Sequence, residues 1–341
     1  MTESGNINEG KRKATDSSLS QQTQQNTSPK ARYHELCEEE EEIPIFSRDW
    51  WLDTVCGADQ WDVILTEENG RVTASLPVYV PVHGAVSMPC YTQTMGPWLS
   101  VGSPDMKYAT LLGRRQALMV DLIEHLKSYR SFMQNFSPEI TDWLPFSWAG
   151  FKETTRYTYR LENLEDNELM MAEMSENMRR NIRRAQDSIT IKKGITVQEF
   201  MRLHEATFTR QHLKDKQDSE VLIHLIEESR RRGQGDLWGG YDDDGQLHAA
   251  AFIVWQKSCA WYLAGGGDPA LRSSAAQSLV LWTAIQFVKD KSRKFDFEGS
   301  MLPGVERFFR EFGAKQLPYF RISKGDLSIW ERIIIKLKKL I

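Results

Sequence analysis

Two stretches of this chain, Phe132–Lys152 and Phe295–Lys315, can be laid on one another without a gap. Phe132/Phe295, Ser137/Ser300, Phe146/Phe309, Gly150/Gly313 and Lys152/Lys315 coincide, and the hairpin glycines Gly70 and Gly245 fall at corresponding places. The surrounding order of elements repeats as well. In the first half, Trp61–Thr66 and Arg71–Val80 flank Asn69-Gly70 as a hairpin, and Cys90–Leu99 reads as extended. A helix with an apolar stripe follows over Tyr108–Ser128, then a strand at Phe132–Phe136, a short helix in Ile140–Trp148 and a strand at Thr154–Leu161. In the second half, Leu237–Tyr241 and Gln246–Gln256 flank a turn at Asp242–Gly245. Cys259–Ala264 follows, then a loop Gly265–Pro269, a helix over Ser273–Lys289, a strand Lys294–Glu298, a helix Val305–Phe312 and a strand Leu317–Ile322. The pattern predicts an internal duplication of one α/β unit; two unrelated α+β domains are the alternative.

At 341 residues the chain has room for two such units. Residues 1–42 are expected to be a disordered polar and acidic tail, being rich in Ser, Gln, Thr and Asn and ending in Glu38–Glu42. The first domain is placed at residues 43–161, with Ser47 capping a short helix that carries Trp50, Trp51 and Leu52. A basic helical connector is placed at 162–196, a second domain at 197–325 and a basic amphipathic tail at 326–341. A net charge of -4 gives no bulk attraction to nucleic acid, so no DNA partner is expected. Cys37, Cys56, Cys90 and Cys259 show neither CxxC spacing nor framework density and read as reduced thiols of a cytoplasmic protein. His204, His212 and His224 form no HExxH pattern, and no metal is expected. Met1–Arg12 lacks the apolar core of a signal peptide, and no apolar run approaches the roughly 20 residues of a membrane span.

The halves differ where chemistry would sit. Phe295-Asp296-Phe297-Glu298 alternates apolar and acidic, so Asp296 and Glu298 share one face of a strand whose other face is buried. A carboxylate there can take a proton from an amine or hydroxyl nucleophile; alternatively one of the two pairs with Arg307, Arg310 or a connector arginine. The first half has Met133 and Asn135 in their places. It also lacks the triple glycine, with Ser100–Pro104 standing there instead. Ala264 and Gly265–Gly267, followed by Arg272, Ser273 and Ser274 at a helix start, gather backbone amides suited to an anionic group or a polarised carbonyl; a flexible turn is the competing reading. On the connector, Arg179, Arg180, Arg183 and Arg184 form i,i+4 pairs suited to phosphate or balanced as a solvated face.

The segment Phe295–Lys315 resembles the C-terminal part of FemAB-like and BioF2-like acyltransferases of the GNAT superfamily, and Arg179–Ala185 resembles the basic segment entering their second domain. The resemblance covers about Phe46 to Ser323. It implies two tandem GNAT-like domains and transfer of an acyl group from an activated donor to an amine, without a covalent enzyme intermediate. Amides near Ala264–Gly266 would polarise the donor carbonyl, Glu298 or Asp296 would assist deprotonation, and Ser300 and Arg310 join the four arginines in substrate binding. Acyl-coenzyme A is the expected co-substrate, with no permanently bound cofactor and a small-molecule or lipid-linked amine, such as an amino sugar or envelope precursor, as acceptor. Aminoacyl-tRNA is the runner-up donor, on a peptidoglycan precursor, and a non-catalytic binding protein is a third reading. Two departures bear on the donor. Arg272-Ser-Ser-Ala-Ala-Gln277 stands where the pyrophosphate loop has Gln/Arg-x-x-Gly-x-Gly/Ala, and the helices between Val197 and Arg232 are too short for the long arm of tRNA-dependent relatives. The tail, with Trp330, Ile333, Ile334, Leu337 and Leu340 on one stripe, suits either an interfacial helix on an anionic membrane or docking on the protein itself.

Overall fold

A computed structural model describes residues 28–100, 102, 105–210, 216–299 and 303–326. The tail from residue 327, the first 27 residues, His212 and Ser300 lie outside the described residues. The chain enters through α1 (Pro29–Glu39) and α2 (Asp49–Cys56). The first repeat is β1 (Trp61–Glu68), β2 (Arg71–Val82), β3 (Ala85–Ser87), β4 (Trp98–Leu99), α3 (Tyr108–Leu126), β5 (Ser131–Asn135), α4 (Leu144–Trp148) and β6 (Lys152–Leu161). The connector holds α5 (Asn167–Glu173), α6 (Glu176–Gln186) and β7 (Thr190–Lys193). The second repeat is α7 (Val197–Arg210), α8 (Lys216–Arg231), β8 (Gly235–Tyr241), β9 (Leu247–Trp255), β10 (Ala260–Gly267), α9 (Ala276–Val288), β11 (Phe295–Asp296), α10 (Pro303–Glu311) and β12 (Lys315–Lys324).

All strands join one sheet in the order β1-β2-β3-β5-β12-β6-β11-β10-β9-β8-β7, with β4 on β2. The last strand of each repeat has crossed into the other: β6 lies against β11, and β12 lies against β5. The gapless overlay of the two halves extends through these strands, laying Lys152–Leu161 on Lys315–Lys324. Under it, the pair Phe132↔Lys324 becomes Phe295↔Leu161, and both pairs occur. The seam between halves is the antiparallel pair of β6 and β12, running from Lys152↔Ser323 to Arg160↔Lys315. These end pairs exchange under the same overlay, as expected of a self-complementary contact between two copies of one element.

The second repeat is sandwiched. Every residue of β9 is buried, as the continuous apolar run Ala249–Trp255 predicts of a strand covered on both faces. One face packs Met178, Ile182 and Ala185 of α6 and the buried side of α9 against Phe295 and Phe297. The other packs Phe200 and Leu203 of α7 and Leu222 and Leu225 of α8 against Phe252 and Trp261, joined by Phe46, Trp50 and Trp51.

Several expectations are corrected. Residues 29–39, assigned above to a disordered tail, form α1. Ser28 caps it, Tyr33 and Cys37 are buried, and the Tyr33 hydroxyl donates to the Ser47 carbonyl at 2.6 Å. The Arg48 guanidinium satisfies the end of α1, donating to the carbonyls of Cys37, Glu40 and Glu41 at 2.6, 3.0 and 3.1 Å. Ser47 is no cap; it ends a 3-10 turn, and Arg48 occupies the N-cap position of α2. Only Trp98–Leu99 of the stretch from Cys90 is strand. The connector helix is two helices, broken where Met174 turns extended and Ser175 caps α6 by accepting from the Met178 amide.

Candidate active site

β11 is shorter than the alternation suggests. After Phe297 donates its amide to the Tyr159 carbonyl, Glu298 and Gly299 both take left-handed φ values, 59° and 64°. Gly299 is required here, because a Cβ would stand 2.3 Å from the Tyr157 carbonyl oxygen. The two carboxylates therefore do not share a strand face: Asp296 sits on the strand and Glu298 on the turn that leaves it. The turn folds back so that the Glu298 amide donates to Asp296 Oδ1 at 2.7 Å. The Thr158 hydroxyl donates to the same oxygen. Gln93 Nε2 donates to Thr158 Oγ1 at 3.2 Å and to the Glu298 carbonyl, while Asn135 Nδ2 holds the Gln93 carbonyl at 2.8 Å.

Burial governs the protonation of this pair. Asp296 is 2% exposed, and burial raises its carboxyl from 3.8 to about 6, against the lowering pull of the Thr158 hydrogen bond and the Arg160 guanidinium. Burial, then the neighbouring Asp296 charge, pushes Glu298 well above the usual carboxylate range. Glu298 is partly exposed as a residue, but its Oε1 is enclosed and has no hydrogen-bond partner among the described residues. Asp296 is thus the member that ionises first, and the member suited to act as base near neutral pH. Neither takes the ion pairs considered above: Arg307 pairs with Glu311 at 3.1 Å and Arg310 with Glu306 at 3.0 Å.

Asp296 opens into a cleft of about 280 Å³ between the repeats, walled by Gln93, Ser137, Arg160, Cys259, Trp261 and Lys294. Arg160 is held there by Glu139 at 2.9 Å and Glu162 at 2.8 Å, and Lys294 reaches Glu139 at 3.4 Å.

Beside Asp296 the sheet parts. β10 and β11 pair only at Ala260↔Phe295 and Trp261↔Asp296, whereas β10 continues on β9 as far as Gly267↔Ala249, with an irregularity between Tyr262 and Ala264. The triple glycine is therefore strand, not loop, and its lack of side chains serves close approach. A Cβ on Gly266 would meet the backbone of α7, 2.5 Å from the Leu203 carbonyl oxygen and 2.7 Å from the His204 nitrogen; one on Gly265 would meet the Tyr262 hydroxyl at 2.0 Å. The Tyr262 ring leans on Phe309, its hydroxyl lies 3.4 Å from Gln277 Nε2, and burial raises its pKa, keeping it a neutral donor.

Arg272, Ser273 and Ser274 lie in a 3-10 turn, Pro269–Ser274, that leads into α9. Arg272 and Ser273 are exposed. Ser274 is anchored: its Oγ lies 2.9 Å from His248 Nδ1, whose Nε2 lies 2.9 Å from Asp242 Oδ2, and it accepts from the Ala276 amide at 3.3 Å. Ala275, the residue in the first glycine position of the pyrophosphate-loop pattern, has φ 57°. The loop thus keeps the left-handed conformation that glycine would adopt freely, now on an alanine. The first turn of α9 has no cap from the residue that begins it, leaving a helix N-terminus beside the parted strands.

The arginines are not brought to the carboxylates. α6 packs on the face of the sheet that holds Phe295 and Phe297, and Asp296, between them, points to the opposite face. Arg179 and Arg183 donate to the carbonyls of Met171 and Arg179, and Arg180 and Arg184 to Asn177 and Asn181. Among the described residues no carboxylate forms a direct ion pair with any of the four, although Glu176 shares the helix and Glu173 ends the one before it. Arg310 lies on that side also, through α10.

Gln93, Thr158, Arg160, Tyr262 and His248 were not singled out from sequence. Thr158 and Arg160 reach Asp296 only because β6 crosses into the second repeat. Only Tyr262 carried a local sign, its place just before the glycines.

Residues 172–310 match the acetyltransferase (GNAT) domain family. The match begins within the basic connector and takes in α6, α9 and Asp296. No curated protein sequence matches the chain. Among solved structures, the chain is similar to FemX at a TM-score of 0.65 and 13% identity, covering 92% of this chain and 99% of that one. It is similar to L-PGS from Bacillus licheniformis at a TM-score of 0.55 and 10% identity, covering 93% and 98%. The C-terminal DUF2156 domain assigned to a lysylphosphatidylglycerol synthetase from Agrobacterium fabrum matches at 0.54 and 13%, covering 91% and 96%. At these identities the likeness is one of fold. No helix among the described residues is long and apolar enough to cross a membrane.

Proposed function

We propose that this chain, whose residues 172–310 match the acetyltransferase (GNAT) domain family and whose fold is similar to that of FemX, is a FemAB-like acyltransferase that transfers an acyl group from acyl-coenzyme A to an amine held in the cleft over Asp296. The observation that carries this reading is the buried carboxyl of Asp296, raised to about 6, at the floor of a cleft beside the point where β10 and β11 part. The amine nitrogen attacks the thioester carbonyl, Asp296 takes the ammonium proton as the carbon–nitrogen bond forms, and the carbon–sulfur bond breaks. Tyr262, kept neutral on the opposite face of β10 from Trp261 and Asp296, is the donor proposed for the departing sulfur if the thioester threads between the parted strands. The N-terminus of α9, Arg272 and the arginines of α6 suit the phosphates of the donor.

Aminoacyl-tRNA as donor, with a cell-envelope acceptor, is the second reading. The likeness to FemX and to a lysylphosphatidylglycerol synthetase domain supports it, as does the stripe of four arginines on α6. The test is a thermal shift with acetyl-coenzyme A and longer thioesters, at about 100 times the dissociation constant, where roughly 2.7 kcal/mol of stabilisation is expected. A shift lost in Arg272→Ala supports the first reading. No shift with any thioester, together with salt-sensitive tRNA binding lost in the four-arginine variant, transfers the assignment to the second.

A further inference from the structure

The cleft over Asp296 adjoins a second concavity. Glu42, Pro44 and Glu139 line it on one side and line a second groove, of about 550 Å³, on the other. This groove belongs to the first repeat. It runs between the first turns of α3 and the stretch from Glu139 to Leu144, with Trp98 and Leu99 at its base. Its surface is mixed: Leu111, Leu112, Met119 and Ile140 form an apolar wall, and Arg115, Gln116, Glu139 and Asp142 a polar one; two large side chains stand open to solvent there, Tyr108 at 77% and Leu144 at 48%. Large apolar side chains left exposed around a concavity of this size mark a ligand surface more often than chance exposure.

The duplication says what kind of corner this is. α3 corresponds to α9, and the gapless overlay lays Ile140–Leu144 on Pro303–Arg307, the start of α10. The groove is therefore the first repeat's version of the corner where the second repeat places its donor loop. It has lost the means of chemistry, because Met133 and Asn135 occupy the positions of Asp296 and Glu298. What remains is a trough with an apolar wall that shares Glu42, Pro44 and Glu139 with the cleft holding the base.

We propose that this groove is the acceptor's second subsite, and that the acceptor is an amine carrying an aliphatic arm, the amine over Asp296 and the arm along α3. The inference rests on the transfer reading for the amine end and on the groove alone for the arm. Titration calorimetry with n-butylamine through n-decylamine on the full chain tests it. Each methylene buried in the groove tightens binding about fourfold, the factor equivalent to about 0.8 kcal/mol. Leu112→Asp and Leu144→Asp, at partly exposed positions that fold without repacking, flatten that dependence. Affinity independent of chain length, or a slope unchanged in both variants, overturns the proposal. Turnover of the same amines with acetyl-coenzyme A separates the two claims. A retained slope without turnover upholds the groove and removes the transfer reading; turnover of the amines with a flat slope does the reverse.

Discussion

Replacing Asp296 by Asn should make the protein more stable and less active, and the size of the gain should depend on pH. Burial raises the Asp296 carboxyl from 3.8 to about 6. The folded state therefore holds this proton more tightly than the unfolded chain does. Between about pH 4 and 6 the unfolded chain has released a proton that the folded protein keeps, so stability falls as pH rises through that window. Above it the full burden of a buried carboxylate is present. Two pKa units at about 1.4 kcal/mol each put that burden near 3 kcal/mol. An Asn side chain keeps an oxygen for the Thr158 hydroxyl and the Glu298 amide but brings a donor that needs a partner. The expected net gain is therefore about 1–3 kcal/mol at pH 8, shrinking to near zero at pH 4. Urea unfolding of both proteins at the two pH values measures it. Turnover of Asp296→Asn should fall by about 10²–10⁴, and the rise in wild-type activity through about pH 6 should vanish. Equal destabilisation at both pH values would refute the reasoning, since it would mean that the carboxylate carries no burial penalty.

Other consequences are separable from that one. Gly266→Ala drives a methyl into the backbone of α7 and should cost about 1–3 kcal/mol, whereas a true loop glycine would tolerate it; chemical denaturation distinguishes them. Ala275→Gly removes left-handed strain worth about 1–2 kcal/mol, less the roughly 0.5–1 kcal/mol entropy cost of glycine. The variant should be neutral to slightly stabilised, and a loss above about 1 kcal/mol would deny that Ala275 holds that conformation. His248→Ala frees Ser274 from its anchor and should raise KM for the donor several-fold with kcat little changed; an unchanged KM would leave the anchor without a role in donor binding. Exchanging Arg179, Arg180, Arg183 and Arg184 for Gln should weaken a phosphate-bearing donor and flatten the salt dependence of its binding, measured by titration at two ionic strengths.

Much of this molecule was legible in order along the chain. The repeat, the hairpins around Asn69-Gly70 and Asp244-Gly245, the fully buried strand at Ala249–Trp255 and Asp296 beside buried phenylalanines all follow from local pattern, because side-chain alternation and turn chemistry act over a few residues. α1 was missed because its composition is polar; its burial depends on Tyr33 meeting Ser47 and on Arg48 closing its end, contacts that local propensity does not encode. The glycines at 265–267 and 299 were visible, but glycine marks a need without saying which. Only packing shows that Gly266 makes room for a helix and Gly299 for a neighbouring strand. The same holds for Glu298, whose alternation with Asp296 promised a shared face until the left-handed turn removed it. The sequence by itself determined that one unit is built twice and that only the second copy carries the acidic pair. The exchange of β6 and β12 was decided by tertiary structure alone. The two strands are copies, so trading places leaves each local preference intact, and only the joint pairing of both halves selects the arrangement that carries Thr158 and Arg160 to Asp296.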